Sequence, residues 1–523
     1  MNISGHCAAA WLADHALRSP QAPCLGTPSG WLSYGELDDR VRRMAGFLYA
    51  IGVRRGDFVV VSLPNVPAAV VASLAIQSLG ACSVEINPDW DGNSNARIAN
   101  KTGARIAILH GRNAAKWSGV AQAFVRYVIV HPEHPSATLR SLLKPCHLTW
   151  MSTDGLVQDE EIRVPPPSAA VDPDTPALVL YTSGSSGAPR GVVQTHRNVS
   201  ANTRSICSYL GLTAEDRVMS VLPLYYSYGK SLLQTHLMAG GSVFFDHRFI
   251  YPHLVIDAMN QQHCTGFAGV PATFELLRRQ IGARSLKVPG LRYVTQAGGA
   301  MQPETVKWAR TAFDPAALYV MYGQTEATAR LSYLDPADAV AKEGSIGRGL
   351  AGVDLRIVAD DASSMPPGSI GQLVARGENV TPGYLGDDEA TQEIIRDGWL
   401  WTGDLGYMDD DGFIFITGRS TELMKIRGYR VSPTEIEHCL CRHPEVLEAA
   451  VVSIPSDIEG ESAAAFVVTS PGKTVAEEAL RKFCRERLPI YKVPRFIRFE
   501  STLPRTGSGK ICKSELKERA VRQ

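Results

Sequence analysis

The 523-residue sequence has no surplus of charge of either sign, because 53 Lys and Arg stand against 53 Asp and Glu. Nucleic-acid backbones are bound by basic side chains in excess, so general nucleic-acid binding is not expected. There is no CxxC pair and no His at zinc-finger spacing; the ten cysteines are scattered, with Cys439 and Cys441 the one close pair. That usage fits reduced thiols in a cytoplasmic protein rather than a disulfide frame or a structural metal site. The N-terminus has no basic n-region, and Asp14, His15 and Arg18 interrupt its apolar residues, which predicts an amphipathic helix and not a signal peptide. No uncharged run reaches membrane length unbroken: Pro64, Asn65 and Pro67 divide the longest, from Phe58 to Val84. Its pieces, FVVVSL and AAVVASLAIQSLG, are expected to be a buried strand and the helix after it. Internal repeats and low-complexity tracts are absent, and 45% hydrophobic with 20% charged residues excludes general disorder.

What is present is a long alternation of short apolar runs and helix-like segments. ALVLY, DRVMSVLP, GSVFF, TGFAGVP and RYVTQAG have the length of buried strands, and PATFELLRRQI that of a helix. The pattern predicts an α/β fold with parallel sheets, and at roughly 150 residues per domain the length suits about three to four domains or subdomains. After Asp335 the texture shifts to shorter strands with Gly, Pro and Asp turns, as in VDLRIVADD, GQLVARG and GFIFITG, which predicts a β-rich subdomain. A smaller α+β unit begins near Arg419. It carries two expected helix starts, Ser432-Pro433-Thr434-Glu435 with a capping Ser, and Thr474 with Glu477.

The most informative stretch is LVLYTSGSSGAPRGVVQTH, from Leu178 to His196. A strand runs into Thr182, Ser183, Gly184, Ser185, Ser186 and Gly187, whose backbone N–H and hydroxyl groups can wrap a polyphosphate, with Arg190 adding positive charge. A flexible surface turn is the plainer alternative. A Walker A loop is excluded, because neither this loop nor Thr506-Gly507-Ser508-Gly509-Lys510-Ile511 supplies GxxxxGK[ST]. A serine-nucleophile amidase is disfavoured by Pro189-Arg190, where small residues would stand.

Taken with Tyr322-Gly323-Gln324-Thr325-Glu326, Trp401-Thr402-Gly403-Asp404, Gly418-Arg419, Gly428-Tyr429-Arg430 and Pro504-Arg505-Thr506-Gly507-Ser508-Gly509-Lys510, the loop resembles the adenylate-forming superfamily. That family includes acyl- and aryl-CoA ligases, nonribosomal adenylation domains and firefly luciferase. The resemblance implies an N-terminal AMP-binding domain over residues 1–419, built of two parallel-type αβ subdomains and a small β-rich one. It further implies a hinge at 420–421 and a mobile α+β lobe over 422–523. The implied chemistry is attack of a carboxylate on the α-phosphate of ATP, release of pyrophosphate, and displacement of AMP by a second nucleophile, commonly the thiol of CoA.

The same resemblance distributes roles. The loop from Thr182 to Gly187, with Arg190 in place of a more usual Lys, would hold the β- and γ-phosphates. Glu326 would ligate Mg2+ and Thr325 would touch the α-phosphate. Gly298, Gly299, Ala300, Tyr322 and Gly323 would enclose adenine, and Asp404 with Arg419 would hold the ribose. Lys510 would bridge carboxylate and α-phosphate, then withdraw as the lobe turns about Thr421 and presents Gly428 and Arg430 to the second nucleophile.

The acid pocket is expected from Tyr226, Tyr228, Gly229, Lys230, Met321, Ala329 and Arg330. Met321 stands where aryl ligases often have Gly and would shorten the tunnel, favouring an aromatic, cyclic or short branched acid. It is equally open to being ordinary core. Lys230 and Arg330 would either pair with a polar substituent on the acid or reach solvent along a snorkelling stem. No Asp lies between Leu222 and Leu233 to hold an α-amine, so α-amino acids are not expected substrates. CoA is the expected acceptor, with a carrier-protein thiol or an amine giving an amide as alternatives. A non-enzymatic adenylate-binding protein would be expected to lack Lys510 or Glu326, and both are present.

Overall fold

The computed structural model describes residues 5–119, 125–132, 136–144, 146–152, 171–182, 189–282, 286–456, 460–470, 472–505 and 511–521. Among them the chain forms four sheets. The N-terminal amphipathic segment is the helix Ala8–Arg18, which buries Trp11 and Leu12. The uncharged stretch divides at its prolines into the strand Phe58–Ser62 and the helix Pro67–Ser78, with the strand Cys82–Glu85 following. Pro67 stands in the first turn, where its missing N–H has no partner to lose. Ten of that helix's twelve residues are buried, so its unbroken apolar sequence reflects cover on every side. No helix among the described residues is long and apolar enough to cross a membrane.

The first sheet has seven strands. His147–Trp150, Tyr127–His131, Ile106–His110, Phe58–Ser62, Cys82–Glu85 and Pro176–Thr182 run parallel, and Arg190–Thr195 returns antiparallel at the edge. The second has nine, with Ser242–Phe245, Arg217–Ser220, Gly266–Gly269, Tyr293–Gln296 and Ala317–Tyr322 parallel at its centre. Period-two alternation sends neighbouring valines to different cores: Val59 and Val61 join one cluster and Val60 another. The first of those clusters extends from Val59 and Leu180 through Val71 and Leu74, then Leu233 and Leu237, to Val218 and Val243. The helices Pro67–Ser78 and Ser227–Ala239 therefore belong to the cores of both sheets, and every residue of the latter is buried.

The expected β-rich region is a five-stranded antiparallel sheet that includes Val353–Val358, Gly371–Gly377, Trp399–Met408 and Ile414–Arg419. A short turn, Ser420–Glu422, leads to Met424–Ile426, the first strand of the fourth sheet. That sheet is built on the long hairpin of Val446–Ser456 and Gly460–Thr469. The terminal helix Lys513–Val521 reaches back to the turn, where the Lys513 ammonium pairs with Glu422 at 2.7 Å and Glu437 at 3.0 Å. Burial opposes the charge on Lys513, and the two carboxylates outweigh it, holding its pKa above the ordinary value.

Of the two expected helix starts, one stands without its expected cap and the other is corrected. Ser432 precedes the helix Pro433–Cys441, but its hydroxyl donates to the Thr417 carbonyl at 2.8 Å and leaves the helix uncapped by a side chain. A tertiary acceptor has outcompeted the local one. The next helix begins at Glu477, not near Thr474, because Val475 packs against the core of the lobe in a non-helical segment. Glu477 and Glu478 then occupy the first turn, where the helix dipole favours them.

Candidate active site

The phosphate-loop expectation falls largely on residues 183–187, which lie outside the described residues. Its two flanks are described: Thr182 ends the strand Pro176–Thr182, opposite Arg190 on the returning strand. The Arg190 guanidinium lies 5.3 Å from the centre of the Tyr384 ring. The Tyr384 hydroxyl donates to Glu326 Oε1 at 2.7 Å. Burial first, and then the Glu326 charge, push the Tyr384 phenol well above its usual range, so it remains a donor. Arg190, Tyr384 and Glu326 thus form one line from the mouth of the loop to the turn Thr325–Ala327.

That turn is held from several sides. Gln194 donates to the carbonyls of Thr325 and Thr328, both at 3.1 Å, and the Glu326 carbonyl accepts from the Thr381 backbone at 2.8 Å. Thr328 has φ of +66°, a strained value for a β-branched residue, and its hydroxyl donates to Asn379 at 2.7 Å. The Thr325 hydroxyl lies 3.3 Å from that of Ser227, at the start of the buried helix. Glu326 has no companion carboxylates: among the described residues no three His, Cys, Asp or Glu side chains gather as a metal ligand set. One hard carboxylate suits a Mg2+ that keeps phosphate oxygens and waters as its other ligands, so the donor set fits that ion.

At the end of the strand Ala317–Tyr322, the Tyr322 hydroxyl donates to Asp404 Oδ2 at 2.5 Å. Arg419 Nε meets Asp404 Oδ1 at 2.9 Å, and its Nη2 donates to the Thr402 carbonyl at 3.1 Å. Burial, then the Asp404 charge, keep the Tyr322 phenol protonated far above its usual range. Gly298, Gly299 and Ala300 follow the strand Tyr293–Gln296, and a Cβ added at Gly298 would lie 3.3 Å from the Tyr226 hydroxyl. Gly323 packs against the Ala329 carbonyl. Of the segments expected to enclose adenosine, Gly298 thus lies against Tyr226, and Tyr322 against Asp404.

The acid-pocket residues do not all face one space. Tyr228 is buried, its hydroxyl 2.8 Å from both the carbonyl and the hydroxyl of Thr295. Burial pushes its phenol up to about 12. Met321 receives the Tyr209 hydroxyl at 2.9 Å and Arg330 Nε at 3.2 Å on its sulphur, and the Arg330 guanidinium lies 4.1 Å over the Tyr228 ring. Ala329 is buried in the turn beside them. Two expectations are corrected. Gly229 does not widen a pocket: a Cβ there would sit 2.1 Å from the Pro223 carbonyl, so backbone approach alone requires glycine. Lys230 neither snorkels nor waits for a substrate; it is 3% exposed and its ammonium is 2.6 Å from Glu85 Oε1. A helix covered on every face offers a lysine no route to water, so the charge is answered inside.

In the smaller lobe, Thr421 is exposed in the turn Ser420–Glu422. Gly428 has φ of +83° after Arg427 at +53°, the backbone of a tight hairpin between Met424–Ile426 and Tyr429–Val431. Arg430 pairs with Lys425 in that hairpin. Tyr429, 56% exposed, stacks on Tyr491 at 4.4 Å. Lys510 lies outside the described residues. Tyr384, Gln194 and Tyr209 were not anticipated; each comes from a segment remote from the motif residue it contacts.

Comparison with known proteins bears on the family and the fold. The family model for AMP-binding enzymes matches residues 12–385, and that for the AMP-binding enzyme C-terminal domain matches residues 435–510. A feruloyl-CoA synthase from Amycolatopsis is 33% identical over 97% of this chain and 98% of its own. The o-succinylbenzoate CoA synthetase from Bacillus subtilis, solved with its acyl-adenylate intermediate, superposes with a TM-score of 0.83 at 27% identity, covering 97% of each chain. An amide bond synthetase from Marinactinospora thermotolerans superposes at 0.85 with 25% identity, covering 98% of this chain and 100% of that one.

Proposed function

Because the chain belongs to the AMP-binding enzyme family, we propose that it joins a carboxylic acid to AMP at this cleft, releasing pyrophosphate, and then passes the acyl group to CoA. The observation that carries the reading is the strand Ala317–Tyr322 with its following turn, whose end meets Asp404 through Tyr322 and whose turn meets Tyr384, and through it Arg190, at Glu326. A nucleotide laid along it would have its ribose hydroxyls at Asp404 and its phosphates at Arg190 and the 182–187 loop. Tyr322 and Arg419 hold the Asp404 carboxylate in place before any ligand arrives. Glu326, oriented by Tyr384, would hold the Mg2+ that accompanies ATP and neutralises its phosphates. Thr325 lies at the α-phosphate and Arg190 draws charge toward the departing pyrophosphate.

The acid enters beside Tyr226 and Tyr228 toward Met321, and aromatic, cyclic or short branched acids fit that blunt end. Lys510, carried by the lobe over residues 422–523, aligns the carboxylate with the α-phosphate, and rotation about Thr421 exchanges it for the hairpin at Gly428 and Arg430. The setting is cytoplasmic. Transfer to an amine instead of CoA is the second reading, favoured by the likeness to the amide bond synthetase over the whole chain. Pyrophosphate release across a panel of acids, measured with no acceptor, with CoA and with mixed amino acids, tests both. Repeated turnover with CoA and a thioester product is expected. An amide formed without CoA would replace the first reading by the second, and no pyrophosphate from any acid would overturn both.

A further inference from the structure

Two cations are buried along the wall formed by the helix Ser227–Ala239, and the protein treats them differently. Lys230 has Glu85 at 2.6 Å, with the Ser73 hydroxyl beside it. Arg330 is 2% exposed and, among the described residues, has no carboxylate within ion-pair distance. Its contacts are the Met321 thioether at 3.2 Å, the Ala329 carbonyl at 3.2 Å, the Tyr209 hydroxyl and the face of Tyr228 at 4.1 Å, none of which carries a negative charge. A guanidinium stays charged at any physiological pH and carries five donors in a fixed plane. A thioether is a weak acceptor, and a ring face offsets only part of the loss of water. A buried cation without a counter-charge costs the folded protein more than one paired as Lys230 is, where the carboxylate offsets part of the lost hydration.

The position gives the imbalance a use. Ser227, one residue before Tyr228, touches Thr325, and Arg330 follows Thr325 by five residues and returns over Tyr228. The guanidinium therefore stands on the same buried wall as Tyr228, next to the turn that carries Thr325. Two donors, Arg330 Nε and the Tyr209 hydroxyl, converge on one point, which the flexible Met321 side chain now fills with sulphur. The geometry points to Arg330 as a specificity-determining residue that binds a second carboxylate, at the far end of the acid being activated, in the place of the Met321 sulphur. The substrate class is thus a short dicarboxylic acid, aromatic or cyclic in its middle, of which one carboxylate is adenylated and the other anchored. This rests on the reading of the cleft as an acid-activating site.

The test is pyrophosphate release with matched pairs: benzoate against isophthalate and terephthalate, cinnamate against 4-carboxycinnamate, hexanoate against adipate, each diacid also as its monomethyl ester. For at least one pair the wild type is expected to favour the free diacid over its ester by about 100-fold in kcat/KM. Arg330→Met is expected to bring that ratio to about one, and Arg330→Lys to restore part of it. Tyr209→Phe, which removes the second donor, is expected to lower the ratio about tenfold and carries the test if Arg330→Met does not fold. A wild-type ratio at or below one for every pair, or a ratio that Arg330→Met leaves unchanged, overturns the anchor while acid activation stands. If no acid of either kind releases pyrophosphate, the activation reading falls and the anchor falls with it.

Discussion

The two ends of the cleft handle charge in opposite ways. At the nucleotide end, Asp404 is already met by Arg419 and Tyr322, and Glu326 by Tyr384, so each carboxylate has a donor in place before a ligand comes. At the proposed acid end, Arg330 meets a thioether, a main-chain carbonyl, a phenol hydroxyl and a ring, and among the described residues no carboxylate. Groups held by their own neighbours are oriented in advance and serve any ATP-using member of the family equally. A charge left without an answer favours one class of ligand and penalises the rest. On the proposed reading, the adenylation chemistry sits where the site is self-satisfied, and selectivity sits where it is not.

Mutations that touch one end without the other sharpen this contrast. Lys510→Ala is expected to have the largest effect, lowering adenylation by about 1000-fold while transfer from a supplied acyl-adenylate persists. Equal loss of both half-reactions would mean that Lys510 does not act in the first alone. Asp404→Ala is expected to weaken ATP use by about 100-fold, read as KM for ATP, with the ranking of acids unchanged. A reordered acid profile would show the ends to be coupled. Glu326→Gln is expected to lower turnover by about 10- to 100-fold and to raise the Mg2+ needed for half-maximal rate. An unchanged Mg2+ titration would remove Glu326 from the ion. Met321→Gly is expected to act least, raising kcat/KM for longer acids by about tenfold with KM for ATP untouched. If the acid profile stays fixed, Met321 does not close the tunnel.

The sequence made one of these ends far more legible than the other. The proposed nucleotide end is written in contiguous motifs, because a tight turn such as Thr325–Ala327 or a short run within a strand such as Thr402 to Asp404 places several groups through local geometry alone. Tyr384, Gln194 and Tyr209 were invisible, since each meets the site only after distant strands and helices pack together. Lys230 was misread for the same reason. Its partner Glu85 lies 145 residues away, at the end of a strand whose apolar neighbours gave no hint of a buried ion pair. The alternation of strands and helices was readable from periodicity, but the start of the helix Glu477–Arg485 was not, because burial of Val475 outweighed local capping residues.

The terminal helix has a mechanical consequence. Lys513 is tied both to Glu437, which lies in its own lobe, and to Glu422, which lies in the turn where the lobe would pivot. If residues 422–523 turn about Thr421 as one piece, both ties travel with them, and the terminal helix stays strapped across the first residue after the pivot. The far end of the chain is then clamped to the root of the lobe, so the turn would pass its motion to the whole lobe with no slack joint between them.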